Sequence, residues 1–423
     1  MNENLNQHIE DATKTASLNL YGRWLTTLPA SISQLAHLEQ IDLSFNRLVT
    51  LPPETSQWTN LKRLCLSSNR LTILSSEISY LTNLQQLDLS HNRLTALPAE
   101  ISQLLHLKQL DLSFNYLAVL PKEISQLSSL EQLYLSSNRL AQLPPQIAKL
   151  TNLERLNLSG NHLTTFPLEI LQLAGLRQLN LSGMQLRKLP GKIRQLAQLK
   201  RLELRDNQLT GLPTEIGQLS CLEWLKLREN RLTQLPQEIG QLTILKRLEV
   251  SNNRLKALPQ ELSQLTELKW LDVGDNQLAT VPQEICQLRN LEQLYFNCNR
   301  LTTLPEEICQ LKGLKELNLS GNQLETLPTH FSQLTSLQEL DLSYNQLTEI
   351  PPEILQLPHL TRLNLAGNQI TTLPAGIAVV GLTQLEQLDL NDNLLPIPLD
   401  IVELIDEPKR IINHYFGATV SLN

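Results

Sequence analysis

The chain is poor in aromatic residues and has no long apolar run. Rings make up 4% of its 423 residues while 41% are hydrophobic, so the core has to be aliphatic. No stretch approaches the roughly 20 apolar residues that a membrane-spanning helix needs. The opening residues, MNENLNQHIEDATKT, carry neither a basic leader nor an apolar segment, and no secretory signal is expected. Positive charge is not in excess either. Lys and Arg number 35 against 42 Asp and Glu, leaving −7, which argues against general binding of nucleic acid or anionic membrane. The five cysteines, Cys65, Cys221, Cys286, Cys298 and Cys309, are odd in number and lack a Cys-rich cap. Reduced thiols and a cytoplasmic location are therefore expected.

Catalytic signatures are missing too. A phosphate loop needs GxxxxGK followed by Ser or Thr, and Gly183 to Gly191-Lys192-Ile193 has the wrong spacing and no hydroxyl. The eight histidines are scattered, with His37, His106 and His359 at equivalent places in separate units. Cys286 and Cys309 stand one unit apart with no further ligand at zinc spacing. Glu100, Glu123 and Glu169 follow the repeat and are expected to serve solvation or turn capping. No enzyme activity, cofactor or metal is expected.

What is present is a repeat. Asparagine recurs every 23 residues at 46, 69, 92, 115, 138 and 161, then from 207 to 368, and again at 393 after two extra residues. Position 184 holds Met184 and position 23 holds Arg23, so fifteen of seventeen units keep the Asn. The surrounding pattern is LxxLxLxxNxLxxLPxEIxQL, as in Leu38, Ile41, Leu43, Asn46, Leu48, Leu51 and Pro52. The LxL core has period two and reads as a short strand with its leucines inside. Strands joined in the same sense by a return segment must pair in parallel. Proline in the return blocks strand continuation and favours an extended turn or the start of a short helix. Each Asn can satisfy buried backbone groups in the turn of its own coil and the next. Met184 cannot, so a weak point is expected near residues 181–190, worth roughly 1–3 kcal/mol. Ser75 in place of proline is a milder irregularity.

This pattern resembles the leucine-rich-repeat family over about residues 17–395. The 23-residue LPxEIxQL variety is similar to the repeats of bacterial, cyanobacterial-type Roco proteins and of plant intracellular Ras-group leucine-rich-repeat proteins. The resemblance implies an α/β fold: a right-handed solenoid or horseshoe, with a concave parallel β-sheet and a convex side of short helical or 3₁₀ segments. With strands about 4.8 Å apart, that face would run roughly 75 Å.

Residues 1–16 and 396–423 are expected to cap the ends, since a stack of coils exposes apolar edges. Leu5, Ile9 and Ala12 fall at helical spacing, as do Ile401, Leu404 and Ile405, and then Ile411, Ile412, Tyr415 and Phe416 after Pro408. The run NLLPIPLDIVELIDEPKRIINHYF looks like the junction that precedes the GTPase domain in Roco proteins. That domain is missing from this sequence, which suggests descent or excision from such an architecture.

Outward strand positions carry specificity, because inward ones are fixed by packing. Six residues before the Asn the series is mostly Gln, then becomes Arg201, Trp224, Arg247, Trp270. Four before it stand Glu203, Lys226, Glu249 and Asp272, and two before it Arg205 and Arg228. Tyr295 is taken to continue the stripe. Arg201, Arg205, Trp224, Lys226, Arg228, Arg247, Trp270 and Tyr295 are thus expected to form one partner-binding patch with a local excess of positive charge, rich in the residue types that dominate interfaces. A cation–π ladder with no ligand is the competing reading. Phe45, Phe114, Tyr116 and Tyr134 form a second, more diffuse aromatic set. The function expected is a non-catalytic scaffold that binds a protein partner, with no nucleic acid and no membrane insertion. The alternative is a detached regulatory arm of a Roco-type GTPase system, acting on a GTPase or other signalling protein or through self-association.

Overall fold

The computed structural model describes residue 9, residues 12–374 and residues 384–420. Two compact units share the chain, Met1–Gln208 and Leu209–Asn423. Among the described residues, the first contains nine three-residue strands, from β1 (Ser17–Asn19) to β9 (Arg201–Glu203). The second contains eight, from β10 (Trp224–Lys226) to β17 (Gln387–Asp389). Within each unit neighbouring strands are parallel and shifted by one repeat, as in Gln40 opposite Arg63 and Trp224 opposite Arg247. The parallel-sheet solenoid is the class that the repeat predicts.

The middle residue of each strand is a buried Leu or Ile, and its two neighbours face outward. Returns begin on the expected proline. Pro98 is extended (φ −70°, ψ 150°) and leads into a 3₁₀ turn, Ala99–Gln103, whose Ile101 is wholly buried. Ser75 adopts the same geometry (φ −74°, ψ 157°), so its loss of the ring leaves the backbone unchanged. Of the two roles expected for Glu100, Glu123 and Glu169, solvation or turn capping, no side-chain cap bond is made at these turns; Glu100 is exposed and the other two are half-buried. Trp58 replaces the return leucine of its coil and is fully buried, its indole N–H donating to Ile32 O at 3.2 Å.

The asparagine ladder reaches backward, not forward. Asn69 Nδ2 donates to Leu66 O of its own turn (3.1 Å) and to Leu43 O of the preceding coil (2.9 Å). Its Oδ1 accepts the Leu48 N–H, also of the preceding coil (3.0 Å). The expected bond to the next coil is thus corrected: the strand runs into the turn, and the amide points at the coil already laid down. The weak point left by Met184 moves accordingly. Leu181 O is served by Asn207 (2.9 Å) and Leu158 O by Asn161 (2.8 Å). The group left without a partner among the described residues is the N–H of Leu163, itself 3% exposed, one coil before the substitution.

Every ladder turn also needs one residue with left-handed backbone, immediately before the Asn position. Gly160 (φ 65°) and Gly183 (φ 66°) take it without penalty, but Phe45 (φ 57°) and Phe114 (φ 56°) take it as well. Where the Asn is missing, a second left-handed residue follows, Trp24 (φ 60°) after Arg23 and Gln185 (φ 58°) after Met184. The turn is reshaped when its amide is lost.

Of the expected N-terminal helix, Leu5 lies outside the described residues, while Ile9 and Ala12 are buried. At the other end α1 (Leu399–Val402) and α2 (Pro408–Val420) lie against the last coil. Leu388 of β17 donates its N–H to Ile405 O (2.9 Å), and Ile411 and Tyr415 are buried.

Candidate functional site

In the second unit the outward positions of four consecutive strands come together: β10, β11 (Arg247–Glu249), β12 (Trp270–Asp272) and β13 (Gln293–Tyr295). Register makes two columns. One reads Trp224, Arg247, Trp270, Gln293; the other reads Lys226, Glu249, Asp272, Tyr295. The expectation that Tyr295 extends the tryptophan stripe is thus corrected, because it occupies the other outward position of its strand. Its ring nonetheless crosses to Trp270, with centroids 5.0 Å apart. The Arg247 guanidinium lies 3.8 Å from the Trp270 ring centre on this same stack. Trp224 and Trp270 are half-buried, and the Trp270 indole N–H is buried without a hydrogen-bond partner among the described residues.

Four cations of these coils have carboxylate partners nearby. Arg247 pairs with Glu249 on its own strand, and Lys226 reaches the same carboxylate at 3.9 Å. Arg228, exposed beyond β10, pairs with Glu229 at 3.3 Å, and Lys246 with Glu223 at 2.8 Å. Partial exposure keeps each pair weak. Burial raises the Asp272 carboxyl above its ordinary range, against hydrogen bonds from Ser251 and Gly274 that lower it. The Tyr295 hydroxyl donates to Glu316, and burial with that carboxylate pushes it well above a usual phenol. Beyond Tyr295 a cleft of about 300 Å³ is lined by Glu316, Glu339, Asp341, Arg362 and Asp389. Glu316 is held by Tyr295 and Gln293, and Glu339 by Arg362.

Arg201 and Arg205 belong to the first unit. Arg201 lies on β9 and pairs with Glu203, while Arg205 is exposed two residues past that strand.

The family is decided by the match of the repeats. The leucine rich repeat family matches residues 36–94, 82–140, 289–347 and 335–395, with further leucine-rich repeat matches at 128–170 and 183–271. The chain belongs to the leucine-rich-repeat family. No family among these matches is catalytic. It is similar to a leucine-rich-repeat protein of Leptospira interrogans, at 38% identity over 98% of this chain and 97% of that one, with TM-score 0.79. Similarity extends to YopM of Yersinia enterocolitica, at 28% identity over 92% and 81% of the two chains, TM-score 0.68. A plant peptide hormone receptor, RGFR1, solved in complex with RGF2, matches at 27% identity over 87% and 69%, TM-score 0.67. Comparison with curated proteins gives no match.

Other features of this leucine-rich-repeat chain follow from coil packing. Cys286 and Cys309 occupy a buried position of the 3₁₀ turn that holds Gly217 and Gly240 in other coils, where neighbouring backbone leaves little room. Burial pushes the Cys286 thiol up to about 12 and that of Cys309 to about 11. All five cysteines are free thiols. Among the described residues no cluster of three or more His, Cys, Asp or Glu could hold a metal ion, and no helix is long and apolar enough to cross a membrane.

The second aromatic set divides. Tyr134 is half-buried on β6 (Gln132–Tyr134), its hydroxyl donating to Gln132 (2.8 Å). Phe45, Phe114 and Tyr116 lie instead on the turn edge of the first unit, where they are exposed. Tyr21, Trp24 and His91 join them there, a group that sequence reasoning missed. The signal was available in the residues that flank each ladder Asn, not in the strand positions.

Proposed function

We propose that this leucine-rich-repeat protein is a non-catalytic scaffold that captures a protein partner on the outward strand face of its second unit. Repeat solenoids use extended sheet faces in this way. The observation that carries the reading is the stack of Arg247, Trp270 and Tyr295. Three side chains of the types that anchor interfaces are held against one another before any partner arrives, which lowers the entropy lost on binding. Lys226 and Arg228 supply polar contacts beside it, with their charges already partnered, so recognition rests on shape and ring contact more than on steering. Trp224 lies one coil before Arg247 in the same column.

We take the protein to act in the cytoplasm, with residues 1–16 and 396–423 closing the ends of the repeat array. A regulatory arm of a Roco-type GTPase system is the alternative, resting on the residue pattern after Asn393. Recovery of a GTPase as the partner would favour it.

The test is affinity purification from the native host, followed by measurement of affinity for whatever protein is recovered. Trp270→Ala, and separately Trp224→Ala with Arg228→Ala, should leave the circular dichroism spectrum intact and weaken capture by more than about 1 kcal/mol. Undiminished capture by both variants would remove the partner from this face.

A further inference from the structure

We propose that the turn edge of the first unit is a second docking surface, and that its partner is an acidic peptide segment bearing aromatic or aliphatic side chains. The edge is built by the residues on either side of the ladder asparagines. Those before them are aligned by backbone bonds between coils: Phe45 N–H donates to Ser67 O (2.9 Å), His91 to Ser113 O (2.9 Å) and Phe114 to Ser136 O (2.8 Å). Those after them are aligned likewise, with Arg70 N–H on Leu48 O (2.9 Å) and Tyr116 N–H on Leu94 O (2.9 Å). The result is two parallel rows at the end of the strands.

Three observations point to a ligand. The first is exposure: Trp24 is 66% exposed, Phe45 53%, Phe114 49% and Tyr116 44%. Val49, Ile73 and Val119, three or four residues past their ladder asparagines, are exposed as well. The second is backbone conformation. Phe45, Phe114 and Trp24 hold left-handed φ, which bulky residues avoid, and glycine fills the position of the two phenylalanines in other coils, yet the three rings are not returned to the core. The third is charge. Arg47, Arg70, Arg93 and Arg139 are exposed on this edge, and none has a carboxylate partner among the described residues. The strand face of the second unit behaves oppositely, with Lys226, Arg228 and Arg247 all paired.

The rings are already ordered. Arg47 lies 4.4 Å from the Trp24 ring centre, Arg139 4.5 Å from that of Tyr116, and His91 stacks on Phe114 at 4.2 Å. One face of each is thus covered. Open guanidinium edges beside apolar rings suit carboxylates spaced among hydrophobic side chains. A nucleic-acid strand would bring a charge at every residue to a chain carrying −7, with Asp42, Asp88 and Asp111 on the adjoining strands. An acidic peptide places fewer charges and can avoid those carboxylates.

The experiment uses the full-length protein and fluorescein-labelled synthetic peptides that alternate Asp or Glu with Phe, Trp or Leu. Anisotropy should report saturable binding that weakens with added salt. Phe45→Asn with Phe114→Asn should reduce affinity at least about tenfold. Because Asn tolerates the left-handed turn, this variant should melt no lower than wild type, which separates lost contact from lost folding. Arg47→Gln with Arg93→Gln should weaken binding and flatten its salt dependence. Trp270→Ala should leave it unchanged, so failure here and failure of the strand-face reading are distinguishable. The proposal is overturned if no such peptide binds, if the ring variant binds undiminished, or if oligothymidylate binds in preference. It is also overturned if sedimentation shows the wild type to be a dimer that the ring variant dissolves, since the occupant would then be a second copy.

Discussion

A single carboxamide at the end of each strand serves groups on two coils at once, and position 184 shows what happens without it. Leu163 N–H faces the space that an Asn Oδ1 fills in the other turns, as Asn161 does for Leu140 at 3.0 Å. Met184 occupies that space with a wholly buried apolar chain and leaves the donor unmet. An orphaned buried N–H costs on the order of 1–3 kcal/mol, partly offset here by the burial of the thioether. Met184→Asn should therefore stabilise the protein by about 1 kcal/mol in urea unfolding and slow amide exchange at Leu163. Equal exchange at Leu163 in both proteins would mean that the donor is satisfied in some other way. The direction of this ladder could not be read from the sequence. Periodicity shows that each Asn is equivalent, but nothing in a one-dimensional repeat says which neighbour its amide faces.

At the scale of the element, the 3₁₀ turn sets how closely coils approach. A Cβ on Gly240 would lie 2.4 Å from Glu261 O, which is backbone and cannot rotate away, whereas one on Gly211 would meet nothing within 4 Å. Gly240→Ala should cost about 1–3 kcal/mol through overpacking. Gly211→Ala should be neutral or gain up to about 1 kcal/mol. Equal melting temperatures for the two would show that the coils can spread freely. The buried thiols of the same position give a pH signature. Cys286 and Cys309 hold their protons to about 12 and about 11, above the range of a solvated thiol. Above pH 9 the unfolded chain loses protons that the folded chain keeps, so stability should fall as pH rises through this window. Replacing both cysteines with Ser should flatten that part of a stability profile. An unchanged slope in the double variant would exclude these thiols as its source.

For the molecule as a whole, the features visible in the sequence were those that repeat. Leucine at fixed intervals predicts buried strand centres, and Leu64, Leu87 and Leu110 are all at 0–1% exposure. What does not repeat was harder to place. Trp224, Arg247 and Trp270 share a column as spacing requires, but Tyr295 does not, and the pairing of Arg247 with Glu249 depends on side-chain reach rather than position. The segment after the last coil does not repeat either, and in such an array each coil is stabilised chiefly by its neighbours. The final segment supplies β17 with Ile405 O for the Leu388 N–H and Asp406 for the Gln387 amide (2.8 Å), while Ile411, Ile412 and Tyr415 are buried. Removing residues 396–423 would strip those bonds and open the last coil to water. Loss should then spread inward coil by coil: amide protection should vanish first in β17, next in β16 (Arg362–Asn364), and persist at β10. The truncated protein should also melt at a lower temperature. If β17 kept its protection in the truncated chain, the last coil would be self-sufficient, and α1 and α2 would have to be there for some purpose other than covering it.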